Sequence, residues 1–171
     1  MIKMFETVAY HKNDITVAEK NVLFQKFFIS HDTPFREMWL GDGVYFWEKK
    51  RDTEWWDGNY EKNTVLSAKL KCNSDQFVNL DVEEEFEEFK QFCEQTKEAM
   101  EQSHYSFEFS DGKFQVSSFF YNVFKETYEL LLLKYSFPQR NNRPQYCASD
   151  NSIISDIRII GRTIGERLVW C

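Results

Sequence analysis

The segment "GDGVYFW" (Gly41–Trp47) decides how the rest of the sequence is interpreted. Four consecutive β-branched or aromatic residues favour a strand, and two glycines stand directly before them. Because successive side chains of a strand face opposite sides, Val44 and Phe46 are expected to face away from Tyr45. We therefore expect Val44 and Phe46 to pack in a core, while Tyr45 lines a cleft that could take a flat ligand.

The rest of the chain predicts strands at both ends and helices between them. Regular alternation and β-forming residues indicate strands at Thr7–Lys12, in "NTVLSAKLKC", in "QFVNLD", in "RPQYCAS" and in "SIISDIRIIG". An apolar stripe on an acidic background indicates a helix over residues 82–103, and "VSSFFYNVFKETY" indicates a second helix that starts near Ser117 or Ser118. Together these elements predict a single α+β domain over residues 1–171.

Three stretches leave more than one interpretation open. The stretch "AEKNVLFQKFF" fits a short helix or an irregular turn, and "ELLLLKYSF" fits a buried strand or a helix end. The stretch "KKRDTEWWDG" favours a short helix that stops at Gly58.

Composition excludes several classes of protein. With 42% hydrophobic and 18% aromatic residues, the chain has ample material for a core, so intrinsic disorder is not expected. A formal net charge of -7 argues against a broad basic surface that would bind nucleic acid electrostatically. The four cysteines are scattered without zinc-site spacing, and the sequence shows neither a signal peptide nor a membrane span. We expect reduced thiols, no bound metal, no membrane contact and a cytoplasmic location.

Three separated motifs carry a family resemblance. They are "YHKN" with His11, "GDGVYFW" with Tyr45, and "RPQYCASDNSIISDIRII" with Gln145. In this order they resemble the ADP-ribosyltransferases of the His-Tyr-Glu class, the class of diphtheria toxin and the poly(ADP-ribose) polymerases, and most closely the small bacterial and phage-type members. The resemblance implies two small antiparallel sheets with flanking helices, and a cleft for NAD between the sheets. The segment from Leu70 to Thr127 matches nothing specific.

The resemblance also implies roles for individual residues. Tyr45 and, eleven positions later, Trp56 would hold the nicotinamide ring between them, although the neighbouring Trp55 could take that place. His11 would bind the adenine-side ribose, and the backbone at Lys12 would pair with the carboxamide. Gly43, together with Gly41, would let the backbone approach the ligand closely.

Other candidate positions carry weaker signals. Ser30 lies in the region that members of this family use as a pocket-lining loop. Outside the resemblance, His11 could equally be a hydrogen-bonded histidine at a strand end, Tyr45 a core aromatic, and Gln145 a surface residue before a strand.

Two positions depart from the family pattern. Gln145 stands where the family has a glutamate that stabilises the positive charge developing as the glycosidic bond breaks. An amide keeps a hydrogen bond but supplies no negative charge, so weaker transition-state stabilisation is expected and polymer elongation is disfavoured. Lys12 stands where glycine is usual, and its side chain would either crowd the carboxamide or reach a phosphate.

The resemblance implies a mono-ADP-ribosyltransferase that uses NAD as co-substrate and releases nicotinamide. The acceptor would be a macromolecule, with protein favoured over nucleic acid, in a bacterial toxin, phage effector or defence component. Two alternatives remain open. One is a catalytically silent NAD or ADP-ribose sensor, favoured by Gln145. The other is a protein-interaction module, such as an antitoxin or inhibitor, that uses the acidic helix near Glu83–Phe92.

Overall fold

The structure is a computed structural model, and it describes residues 2–31, 33, 38–54, 63–102, 117–138, 141–164 and 167–171. Within these residues it contains a sheet of eight strands and three α-helices. The strands are β1 (Met4–Asp14), β2 (Val44–Trp47), β3 (Asn63–Asn73), β4 (Phe77–Asn79), β5 (Leu132–Phe137), β6 (Arg143–Ala148), β7 (Ile154–Ile164) and β8 (Arg167–Trp170). The helices are α1 (Ile15–Phe24), α2 (Glu83–Gln102) and α3 (Ser118–Thr127).

The sheet has the strand order β4-β5-β6-β2-β1-β3-β7-β8. Strands β4 and β5 pair in parallel, and every other neighbouring pair is antiparallel. The register between the central strands β1 and β2 consists of one pair, Tyr10 with Trp47, whereas β1 pairs with β3 along its whole length. The ladder between β1 and β2 is therefore much shorter than the ladder between β1 and β3.

The two faces of the sheet carry separate hydrophobic cores. One core contains Ala18 of α1 together with Val44 and Phe46 of β2. The other contains Phe89 of α2 and Phe124 of α3. Tyr45 packs against this second core, so the expected opposite orientation of Tyr45 and its two neighbours is confirmed. The helices are thus divided between the two faces, with α1 on one side and α2 and α3 on the other.

Local sequence explains where the helices begin. Asp14 caps α1, because its side chain accepts a hydrogen bond from the backbone N–H of Thr16. Glu83, Glu84 and Glu85 place negative charge in the first turn of α2, where the helix dipole favours it. Ser117 is the N-cap residue of α3, in agreement with a helix start near Ser117 or Ser118, but its side chain makes no capping hydrogen bond within the described residues.

The acidic helix α2 has a buried side and a charged side. Phe89 and Cys93 are fully buried in the second core, where Phe89 stacks on Tyr121 of α3 at 4.8 Å between ring centroids. The phenylalanine stripe is therefore part of the core, and the glutamates form the outer side of the helix. An interaction module that uses this helix would have to rely on its charge rather than on its phenylalanines.

The prediction of a mixed α+β fold is confirmed, and most strands lie where the sequence places them. The stretch "AEKNVLFQKFF" contributes to α1, and "ELLLLKYSF" contributes to β5, which resolves both ambiguities. The residues 50–54 form a 3₁₀ helix, and the continuation towards Gly58 lies outside the described residues. The parallel β4–β5 pair differs from the expected antiparallel pairing, and the eight strands are connected into one sheet.

Among the described helices, none combines the length and the apolar character that crossing a membrane requires. In the same part of the chain, no cluster of three or more His, Cys, Asp or Glu side chains could hold a metal ion. All four cysteines are free thiols, with Cys72, Cys93 and Cys147 buried and Cys171 exposed.

Candidate functional site

A cavity of about 480 Å³ lies beside β1 and β2. This volume is within the range of about 300–1,000 Å³ that is common for small-molecule sites. The walls come from β1, β2, β6, α1 and the segments around them; they are formed by His11, Lys12, Asn13, Val17, Phe27, Phe28, Ser30, Met38, Trp39, Val44, Tyr45, Phe46, Trp47 and Gln145.

Five of the seven residues that the sequence predicts for the site line this one cavity: His11, Lys12, Ser30, Tyr45 and Gln145. They are far apart in the sequence and meet because β2 lies between β1 and β6 in the sheet. Gly43 is not among the described residues of the cavity wall. Trp56 lies outside the described residues, so its position beside Tyr45 stays a prediction.

His11 links β1 to β2 outside their single registered pair. Its Nδ1 lies 2.6 Å from the carbonyl oxygen of Tyr45, which can only accept, so Nδ1 carries the proton and donates. The neutral ring then presents Nε2 as an acceptor, and the Asn13 side-chain amide lies 3.4 Å from it. Burial lowers the pKa of His11, although the hydrogen bond to Tyr45 acts in the opposite direction. His11 is therefore neutral near pH 7, and its Nε2 accepts a long hydrogen bond from Asn13 beside the cavity.

The lowered pKa of His11 predicts a pH dependence of stability. A group whose pKa is lower in the folded than in the unfolded state binds protons more readily when unfolded, so the free energy of unfolding falls as pH decreases below about 6.5. We expect the wild type to lose more thermal stability than His11→Gln when melting curves are compared between pH 7.5 and pH 5. Parallel curves for the two proteins would contradict this assignment.

Tyr45 is held by its hydroxyl group. The hydroxyl donates to the carbonyl oxygen of Gly41 and accepts from the N–H of Leu40, each at 2.7 Å. Burial raises the pKa of this phenol, so it stays protonated and keeps both bonds. Tyr45 is thus fixed at its hydroxyl end, its ring packs against the second core, and the residue as a whole forms part of the cavity wall.

Gln145 lies in the middle of β6, opposite Trp47 of β2 and Tyr135 of β5. It is only 3% exposed, so the alternative of a surface glutamine is wrong. Its Oε1 is buried and has no hydrogen-bond donor in the described part of the chain. An unsatisfied buried acceptor costs about 1–3 kcal/mol, and a ligand that donates a hydrogen bond there would offset this cost.

The two glycines before β2 lie against the protein's own atoms. Gly41 has φ +75, and a Cβ there would approach the Asn122 side chain of α3. A Cβ on Gly43 would lie 2.5 Å from Cys147 Sγ and 2.7 Å from the carbonyl oxygen of Ala148. Gly43 also pairs with Ser30 through two backbone hydrogen bonds of 2.9 Å. Internal packing thus gives a reason for both glycines, and the expected contact of Gly43 with a ligand stays a prediction.

Sequence reasoning missed several residues of the cavity. Phe27 packs edge-on against the His11 ring, with 4.9 Å between ring centroids, and Asn13 contacts the same imidazole. Asn13 carries a detectable signal, because side chains two apart on a strand share a face and it follows His11 at that spacing. Phe27 carries none, because it lies past the end of α1 and only the tertiary structure brings it to β1.

The chain was also compared with known proteins. It matches no protein-family model and none of the curated proteins.

Proposed function

We propose that the chain is a mono-ADP-ribosyltransferase that binds NAD in the cavity beside β1 and β2. The observation that carries this proposal is the convergence of His11, Tyr45 and Gln145, each from a different strand, on one cavity. These are the three positions at which the sequence resembles the His-Tyr-Glu class.

The cavity supports an NAD-like ligand in both size and polarity. Aromatic residues of the wall such as Tyr45 and Trp47 suit a flat ring. Gln145 Oε1 is an acceptor that suits a ribose hydroxyl group, and His11 Nε2 can accept from another hydroxyl group that replaces Asn13. In this assignment Gln145 contacts the ribose next to nicotinamide, and His11 contacts the ribose next to adenine. Lys12 lies beside His11 in the same wall, and its ammonium group is assigned to a phosphate of the ligand.

The proposed reaction replaces one bond at the ribose C1 with another. The bond to the nicotinamide nitrogen breaks, and its electron pair leaves with nicotinamide. A nucleophilic atom of the acceptor bonds to the same carbon and loses its proton to solvent water. Gln145 orients the ribose through a hydrogen bond, but its amide supplies no negative charge, so the reaction should be slow for this class of site. A protein acceptor is proposed in preference to a nucleic acid because the net charge is -7.

The experiment is nicotinamide release from NAD by the purified protein, with and without a protein acceptor mixture. We expect Tyr45→Ala to abolish release and to weaken NAD binding by about 1–2 kcal/mol or more, because a stacking face is lost. Tyr128→Ala is the matched control, since Tyr128 is exposed at the end of α3. Release that is equal in Tyr45→Ala and wild type would overturn the proposal, provided that melting curves show both to be folded.

A silent sensor of NAD or ADP-ribose is the second candidate. It is favoured by the chemistry of the cavity wall, since Gln145 is uncharged and no carboxylate occurs among the described residues of the wall. The same experiment separates the two candidates. A protein that is stabilised by NAD or ADP-ribose but releases no nicotinamide, with or without acceptor, is a sensor.

A further inference from the structure

Two side chains of α3 form hydrogen bonds with the backbone of the turn at Gly41–Gly43. The Asn122 side-chain oxygen accepts a hydrogen bond from the backbone N–H of Asp42 at 2.7 Å, and the Lys125 ammonium donates to the carbonyl oxygen of Asp42 at 2.5 Å. Both polar groups of one peptide residue are thus bound by side chains that are three positions apart on one helix. This spacing places Asn122 and Lys125 on the same side of α3.

Lys125 is an unusual residue to bury. It is only 6% exposed, and within the described residues it forms no ion pair with a carboxylate. Its neighbours are the Asp42 carbonyl oxygen and Cys147 Sγ, the latter at 3.8 Å. Its place in the last turn of α3 offsets part of the cost of burial, because the helix dipole favours a cation there. Because a buried charge without partners is costly, loss of the Asp42 carbonyl as acceptor would destabilise the protein at this position.

The Gly41–Gly43 turn also determines where the side chain of Tyr45 lies. The Tyr45 hydroxyl is bound to the N–H of Leu40 and to the carbonyl oxygen of Gly41, on either side of the peptide bond that joins them. Gly41 packs so closely against Asn122 that a Cβ at position 41 would clash with the Asn122 side chain. A shift of the turn away from α3 would therefore carry the hydroxyl, and with it the Tyr45 ring, to a new position.

We propose that Asn122 and Lys125 are positioning residues for the cavity. They are not among the described residues of its wall, and they act by holding the Gly41–Gly43 turn, which fixes the position of Tyr45 in that wall. This inference rests on the proposed function where it concerns NAD, and on geometry alone where it concerns the turn.

The test measures amide hydrogen exchange and NAD binding in Asn122→Ala and Lys125→Met. Asn122→Asp is the conservative variant, because a carboxylate retains the acceptor for the Asp42 N–H. Thr127→Ala is the control on the exposed side of the same helix. In both disruptive variants we expect the Leu40 and Asp42 amides to exchange about tenfold faster and the Kd for NAD to rise about tenfold. Asn122→Asp and Thr127→Ala should behave like the wild type.

The outcomes are distinguishable from failure of the proposed function. Unchanged exchange at Leu40 and Asp42 in both variants overturns the positioning role, as does faster exchange with unchanged NAD affinity. If one variant fails to fold, the other decides. If the wild type does not bind NAD, the proposed function fails, and exchange at Leu40, whose N–H bonds the Tyr45 hydroxyl, alone decides whether α3 positions Tyr45.

Discussion

Gln145→Glu is expected to increase nicotinamide release by about 100-fold, the typical effect of one well-placed electrostatic group in a catalytic site. The wild-type amide can bind a ribose hydroxyl but cannot stabilise positive charge on the ribose. A carboxylate at the same buried position would do both. Because the side chain lies in the cavity wall and its Oε1 has no donor in the described part of the chain, the substitution displaces no observed hydrogen bond of that oxygen.

The same substitution should make activity and stability depend on pH in opposite directions. Burial is expected to raise the pKa of a glutamate at this position above its usual value, because the side chain is buried and Oε1 has no donor in the described residues. Activity then rises as pH increases through the raised pKa and the carboxylate forms. The free energy of unfolding falls over the same range, since the unfolded chain has already released its proton.

The measurement is a pH profile of nicotinamide release together with melting curves at each pH. Gln91→Glu on the exposed side of α2 is the matched control, because it adds the same charge far from the core. A variant that is folded and ionised at high pH, yet releases nicotinamide no faster than the wild type, would contradict the catalytic role of this position.

Gly43→Ala is expected to lower the free energy of unfolding by about 3 kcal/mol, at the upper end of the usual cost of overpacking. The added Cβ would lie 2.5 Å from Cys147 Sγ and 2.7 Å from the carbonyl oxygen of Ala148. These atoms belong to β6, which is bonded to β2 and β5 and cannot move without disturbing both.

Equilibrium denaturation in urea would measure this loss. The double variant Gly43→Ala/Cys147→Ala is the informative comparison, because it removes the contact with sulfur and keeps the contact with the backbone. We expect the cost of Gly43→Ala to be smaller in the Cys147→Ala background but not to vanish. A neutral Gly43→Ala would show that β2 can shift away from β6, against the packing described above.

The fold follows from the sequence where a signal is local. The alternation in Val44, Tyr45 and Phe46 predicts which side chains enter which core, because a strand has only two faces. The apolar stripe that predicts α2 and the serines that predict the start of α3 are local signals of the same kind. The parallel pairing of β4 with β5 has no such local signal, because the two strands are more than 50 residues apart in the chain and their pairing depends on the tertiary structure.

For the candidate site, the sequence by itself determined which residue types could serve, and in what order they occur along the chain. Only the tertiary structure decided that His11, Tyr45 and Gln145 share one cavity, because their meeting depends on β2 lying between β1 and β6. It also decided that Gly43 packs against Cys147 and that Lys125 of α3 donates a hydrogen bond to Asp42 in the Gly41–Gly43 turn. Contacts between residues some 80 to 105 positions apart depend on strand order and helix placement, which no short stretch of sequence specifies.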